Sequence, residues 1–451
     1  MATSPVERSL DASIKDGTTF AVMAGLGDPS YVGACALVLG ASPSQVALLV
    51  TIPVFLGALA QLIPPFFIER GFSRKRLFVL GSFAQSLAWL PILAAPFAKG
   101  RAGYALLFAG WILYFLAMHF TVPPWTSVMG DLVPAGARGR FFGRRSSLCF
   151  VFQTASLVLS GAGLALYKEA GHEELGFAVV FAGALIARLL STWHLSRMHE
   201  PPHVFRDEDR FTFAQFLRRL PTSNFAKFVF FVGFMNASAH FAGCLFAPYW
   251  KKTLGYSYWE YMAVATAVVG VQIVALPFWG RQADRYGNKK VLATTSVGIA
   301  VLPALWLLSA HVGWAVFLQA WSGFFWSGFN QSVANFLFDA VTPPKRARCT
   351  AYLYLIVNTG LLVGGLAGSW AINHVPTSFF GLSWPHAFWT LLGISFLARS
   401  LTLMVFLPRF REVRDVPSIG HVEWFVQATR EVTGPALNLL GALTGKENRD
   451  R

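Results

Sequence analysis

Apolar runs of about the length needed to cross a bilayer fill most of the chain, separated by short polar breaks. A window of about 19 residues predicts twelve spans, at 17–39, 45–67, 77–98, 102–129, 146–167, 175–196, 223–250, 258–280, 291–310, 313–338, 349–371 and 384–407. The polar break at 197–222 is the longest internal one and divides the spans six and six. The expected fold is therefore an all-α polytopic membrane protein. It has a six-helix bundle over 1–196, a linker over 197–222, a second bundle over 223–408 and a tail over 409–451.

Composition narrows the class. Hydrophobic residues make up 55% of the 451 and charged residues 13%, about half the share usual in soluble proteins. This excludes a soluble enzyme, a disordered scaffold and a disulfide-rich secreted protein. The four cysteines lie in apolar runs, where a free thiol behaves as a small hydrophobe, and their spacing suggests neither a disulfide framework nor a metal cluster. The N-terminal MATSPVERSLDASIKDG lacks the basic-then-apolar layout of a cleaved leader, so the first span is expected to remain in the mature protein.

The net charge of +15 could point to nucleic acid, but its placement says otherwise. The loops after spans 2, 4, 8 and 10 carry 15 lysines and arginines (Arg70, Arg74, Lys75, Arg76; Arg138, Arg140, Arg144, Arg145; Arg281, Arg285, Lys289, Lys290; Lys345, Arg346, Arg348), while the opposite loops carry 5. By the positive-inside rule the basic face is cytoplasmic, in a plasma or bacterial inner membrane, with both termini and the linker on that side. Nucleic acid drops out as a partner; the bilayer takes its place.

The halves repeat. A shift of 215 lays Leu39-Gly40-Ala41-Ser42 on Leu254-Gly255-Tyr256-Ser257, Glu69-Arg70 on Asp284-Arg285, and Arg74-Lys75 on Lys289-Lys290. A shift of 208 lays 131–140 on 339–348, pairing Asp131 with Asp339, Arg138 with Arg346 and Arg140 with Arg348. Two pseudo-symmetric bundles with a site between them near the midplane are a transporter architecture.

GRQADRYGNKK (280–290) resembles the loop motif of the major facilitator superfamily: Gly280, Asp284, Arg285, Gly287, Lys289 and Lys290 match, and Asn288 stands where an arginine is usual. The first-half copy, PFFIERGFSRK (65–75), is degraded, with Pro65 for the glycine and Glu69 for the aspartate. The DxVPxxxRGR stretch after span 4 is also similar to members of that family. The resemblance implies a twelve-helix fold and a transport function without a substrate. It also implies that charges such as Asp284, Arg285 and Lys289, with Glu69 and Arg70, hold the halves together on the cytoplasmic side. Asp131 with Arg138, and Asp339 with Arg346, are expected to form analogous loop pairs; the alternative is that the basic residues only fix topology.

Of the 22 acidic residues, Asp28 alone is expected deep within a span, in GLGDPS, where glycines and Pro29 allow a kink. A charge at that depth costs about 2.5–3.5 kcal/mol on insertion scales. It can couple transport to a proton, pair with a cationic substrate or a buried histidine, or hydrogen-bond the kink. The resemblance implies that spans 1, 4, 7 and 10 line the cavity. Their candidates are Tyr114 and His119, Asn236 and His240, and Trp326 and Asn330, a set that suits a mixed apolar–polar organic solute. A strongly anionic solute would need a midplane arginine or lysine, and none is evident. Arg188 and Arg399, about nine residues from the basic ends of spans 6 and 12, read as anchors that snorkel, with a substrate role as the alternative.

Phe213, Phe216, Leu217 and Leu220 predict a surface helix in the linker, and 422–443 a weak amphipathic stretch in the tail. His194, His199 and His203 lack acidic or cysteine partners for a metal. GALTGKE (441–447) has the wrong spacing for a phosphate loop, and no hydrolase motif appears. The expectation is a monomeric secondary transporter, not an enzyme, with no cofactor, moving a small solute by alternating access, coupled to protons through Asp28. The alternatives are an uncoupled facilitator, or a sensor or lipid-handling protein on the same fold.

Overall fold

The computed structural model describes residues 4–416 apart from 99, 203–208, 247–248, 377, 380–381 and 384–385. The predicted tail stretch at 422–443 and His203 lie outside the described residues.

Local chemistry sets the helix starts. Ser4 with Glu7, Ser42 with Gln45, and Ser257 with Glu260 form reciprocal capping boxes, followed by proline in the first two cases. The first span is α1 (Pro5–Leu26) and α2 (Pro29–Val38), broken at Gly27-Asp28; the second is α3 (Pro43–Ala60) and α4 (Ile63–Ile68). Then come α5 (Arg74–Ala98), α6 (Gly100–Leu132), α7 (Arg138–Glu169) and α8 (Glu173–Ser196). After the short linker helix α9 (Phe213–Arg218), the second half runs α10 (Asn224–Gly243), α11 (Tyr258–Tyr286), α12 (Asn288–Leu305), α13 (Val312–Ala340), α14 (Arg346–Ala371) and α15 (Ala387–Phe406). A two-residue antiparallel ladder, Ser378–Phe379 with Leu382–Ser383, precedes α15.

Two differences from the predicted spans matter. The first span starts at Pro5 rather than 17, because Asp16, polar in the sequence, is satisfied inside the bundle. The fifth starts at Arg138 rather than 146, so its four arginines ride on a helix end and can reach across the fold. Ten of these segments are long and apolar enough to cross a membrane by length and composition. The other two, α12 and α13, fall short, and α13 carries Trp321, Trp326, Asn330, Gln331 and Asn335. A helix can keep that polarity where other helices or water cover it.

Within the first half α1 packs on α7 and α8, and α6 on α3 and α5; in the second half α10 packs on α14 and α15, and α13 on α11 and α12. The halves meet where α7 crosses α11 and α6 crosses α14. At the basic end one core runs through both halves, from Phe78, Val128 and Phe142 to Phe228, Phe329, Phe336 and Phe410. Away from it the cores separate: one of Trp89, Trp111 and Phe181 in the first half, another of Tyr249, Trp306 and Phe388 in the second. Large apolar side chains such as Leu159, Val274, Leu308 and Met404 are more than two-thirds exposed, an apolar exterior that suits lipid. The protein is a multi-pass integral membrane protein.

The linker helix lies under the second bundle: Phe216 is buried, and its ring sits 5.4 Å from Tyr352 and 6.2 Å from Phe225. All four cysteines are free.

The α7–α11 crossing depends on two glycines. A Cβ on Gly139 would stand 2.1 Å from the Gly280 carbonyl oxygen, and one on Gly280 2.2 Å from that of Gly139. Gly280→Ala therefore separates the halves at the basic end. Disulfide trapping between cysteines placed on α7 and α11 is expected to slow markedly in that variant, while a Gly270→Ala control, whose Cβ has open space, traps at the wild-type rate.

Candidate functional site

Two sets of groups carry the chemistry. The first lies at the basic end and joins the halves. Asp284, at the end of α11, accepts hydrogen bonds from the backbone N–H groups of Gly139 (2.7 Å) and Arg140 (2.8 Å) at the start of α7, with the Arg140 guanidinium 3.5 Å away. A carboxylate on a helix N-terminus satisfies orphan donors and opposes the helix dipole. Its repeat counterpart Glu69 pairs with Arg348 at the start of α14.

The expected pairings of Asp131 with Arg138 and of Asp339 with Arg346 are corrected by the structure: the partners are exchanged between halves. Arg138 donates to Asp339 at 2.8 Å, and Arg346 pairs with Asp131. The reason is pseudo-two-fold symmetry. Each arginine opens a helix that leans across the interface, so the acid within reach belongs to the other bundle. Arg138 also donates to the Gly130 and Val133 carbonyls, and Asp339 accepts from Asn288. Asn288, the departure from the usual motif, thus serves this network.

Arg74, read from the sequence as topological, is buried within the first half. It donates to Asp131 at 2.6 Å, to Ser127 at 2.9 Å and to the Pro201 carbonyl, while its backbone N–H donates to Glu200. The repeat preserves this last contact, since Lys289 N–H donates to Glu412 at 2.7 Å. Each bundle's exit segment thus turns back to cap the helix after its motif loop. Gly287, with φ of 87°, makes that approach possible, because a Cβ there would meet the Glu412 carboxylate at 2.5 Å. Arg285 lies by the Tyr286 ring. Arg70 stays with its own helix, donating to the Phe66 carbonyl and stacking on that ring, so it takes no part in the crossing.

The second set lines a cavity of about 420 Å³ within the second half, formed by α10, α12, α13, α14 and α15. Asn236, His240 and Trp326 line it, with Gln319 and Ser322 beside them, so this space lies inside one half and not, as expected, between the two. Asn330 lines a separate space of about 260 Å³ between the halves, with Arg145, Gln272 and Tyr354. Tyr114 and His119 are not brought to either. Tyr114 stacks on Trp111 at 4.6 Å and lies edge-on to Trp89 in the first-half core, and His119 fills the gap left by Gly57 between α3 and α6. Both are buried by packing.

Of the readings open for Asp28, the structure shows the hydrogen bonding at the kink. Asp28 is half-buried and caps α2, accepting from the Ser30 N–H at 2.9 Å and the Ser30 hydroxyl at 2.6 Å. The deeply buried acid of the first half is Asp16, 4% exposed, which accepts from Ser191 at 2.7 Å and pairs with Arg145 at 3.3 Å. Arg188 joins this cluster by donating to Ser191. Sequence reasoning missed Asp16 because it sits in a polar N-terminal stretch; the signal available was the Ser4–Glu7 capping box, which extends the helix upstream.

A buried cation also lines the second-half cavity: Arg399, 4% exposed, stands there with Asn236, His240 and Trp326. It donates to Ser395 Oγ (3.1 Å) and to the carbonyls of Ile299 (2.8 Å) and Ala239 (3.4 Å). Its even placement with Arg188 in the repeat had made it look like an anchor.

Asp339→Asn leaves Arg138 buried without its counter-charge, a change that costs about 3–5 kcal/mol for a buried pair. Spin-label distances between the α6–α7 and α13–α14 loops are expected to lengthen in that variant. The exchange Arg138→Asp with Asp339→Arg is expected to restore the short distance in part, which a purely topological role for these residues does not produce.

A sequence model of the Major Facilitator Superfamily matches residues 19–270 and 229–443. The chain is 33% identical over 97 residues to an efflux pump, azaK, of Aspergillus niger, a match covering 22% of this chain and 20% of that protein's length. Among solved structures it resembles a bacterial homologue of the iron transporter ferroportin in its outward-facing state, with a TM-score of 0.69 and 14% identity over 90% of this chain and 99% of that one. It also resembles the transporter FucP in its outward conformation, with a TM-score of 0.66 and 14% identity over 90% of this chain and all of that one. With both halves matched by the family's sequence model and the twelve-helix arrangement in place, the chain belongs to the major facilitator superfamily of transporters.

Proposed function

We propose that the protein is a secondary active transporter that moves a small organic solute by alternating access. The observation that carries this reading is the pairing of a sealed basic end with a polar, aromatic-walled cavity. Four carboxylates exchange partners across the halves at one end, while the cores part at the other. With the basic face in the cytoplasm of a plasma or inner membrane, this is an outward-facing form. Rupture of the exchanged contacts then gives the inward-facing one. The solute sits in the cavity of Asn236, His240 and Trp326, and a monomer suffices.

Proton coupling is assigned to Asp28. Asp16 is held in a buried ion pair, whereas Asp28 is half-buried at the interruption of the first span and holds α2 through Ser30. Protonation removes the negative charge that favours the N-terminus of α2, worth about 0.3–1 kcal/mol, and loosens α2 relative to α1. A charge moved through the membrane potential is worth about 2.3 kcal/mol per 100 mV, enough to drive accumulation.

Uptake of a panel of organic solutes into proteoliposomes, with and without a pH gradient, tests this reading. Wild-type transport is expected to respond to the gradient, and Asp28→Asn is expected to keep solute exchange while losing the response. Equal behaviour of the two proteins under every gradient refutes coupling through Asp28. Absence of transport for every solute refutes the transporter reading itself.

A further inference from the structure

The two halves treat their equivalent arginines differently, and the difference identifies a kind of ligand. Arg188 and Arg399 occupy the same place in the repeat at a shift of 211. Both are almost wholly buried. Arg188 donates to Ser191, which in turn donates to Asp16, so a carboxylate stands one hydroxyl away from it. In the second half the position 215 residues beyond Asp16 is Phe231, and no carboxylate among the described residues forms an ion pair with Arg399.

A guanidinium has five N–H donors. Three of those on Arg399 are taken by Ser395 Oγ and two backbone carbonyls. One N–H on each terminal nitrogen is left, the pair that a carboxylate accepts side by side. The surroundings favour the same kind of occupant. The residues lining the cavity include no aspartate or glutamate, but several donors: Asn236, His240, Gln319 and Trp250. The Trp250 indole N–H is buried without a hydrogen-bond partner, and an unpartnered buried donor carries a free-energy penalty that a ligand acceptor removes. The walls are the rings of Phe246, Trp306 and Trp326, and Phe246 and Trp306 stand 5.0 Å apart. A cavity of about 420 Å³ with an aromatic wall and one buried cation fits an organic ion of modest size rather than a bare halide.

We propose that the second-half cavity binds an organic anion, an aromatic or amphipathic monocarboxylate, with Arg399 as the counter-charge to its carboxylate. The proposal rests on the transporter reading above and names its substrate class. The ligand brings to Arg399 the kind of group that Asp16 places near Arg188 in the first half. Its binding neutralises the charge of Arg399 at the same moment as it fills the cavity, so the loaded and empty cavities differ in net charge by one.

The full-length protein in lipid nanodiscs tests this through quenching of its tryptophan fluorescence by 3-phenylpropionate and by the uncharged 3-phenylpropionamide. The acid is expected to bind at least tenfold more tightly than the amide. Arg399→Gln is expected to abolish that preference while leaving amide affinity within a few-fold of wild type, and Arg399→Lys to retain part of it. Should Arg399→Gln fail to fold, the wild-type preference and its loss of several-fold in His240→Ala serve as the readout. Equal binding of acid and amide by the wild type overturns the proposal, and so does failure to bind either phenylpropionate or benzoate. Uptake of neutral solutes that survives in Arg399→Lys, alongside no acid preference, overturns the anion class while leaving transport standing. Absence of any transport overturns the transporter reading instead.

Discussion

Everything at the basic end follows from the exchange of acid and arginine between the halves. A buried guanidinium needs a counter-charge close by. Arg138 and Arg346 find theirs on the opposite bundle because each stands at the start of a helix that leans over the interface. The backbone adds to this where Asp284 satisfies the exposed N–H groups at the start of α7, and the Gly139–Gly280 crossing lets the two helices come close enough to do so. Charged groups pulled halfway apart inside an interface have neither each other nor water, so contacts of this kind suit a two-state gate.

The same pairing logic separates the two halves of the interior. In the first, Asp16 links Arg145 directly and Arg188 through Ser191. In the second, Arg399 stands beside a cavity with backbone and hydroxyl partners only. The repeat gives both halves the same frame, and the acid near Arg188 in the first has no counterpart beside Arg399 in the second.

Much of this was legible in the sequence. The twelve spans, the division at the linker and the repeat rest on hydropathy and spacing, which depend on the helix alone. Asn236 and His240, one turn apart, share one cavity with Trp326, whereas Asn330, one turn on from Trp326, lines the space between the halves. What escaped had a different origin. Tyr114 and His119 carry polar atoms but are held by neighbouring rings and by the gap at Gly57, which only the packed structure reveals. The partners of Asp131 and Asp339 could not be read because sequence proximity favours the arginine seven residues on, while three-dimensional symmetry favours the one across the interface. The repeat sets Arg399 level with Arg188 and hides that Phe231 stands where the first half has Asp16.

The central claim is that the exchanged ion pairs keep the basic face shut. Asn330 lines the space between the halves beneath that seal, so a cysteine there, in a background without the four native cysteines, reports on it. Labelling by a membrane-impermeant thiol reagent applied to the basic face is the most direct measurement. The account predicts slow labelling when the pairs are intact and a rate at least tenfold higher when Asp131→Asn and Asp339→Asn remove them together. The same slow rate in both proteins would contradict it.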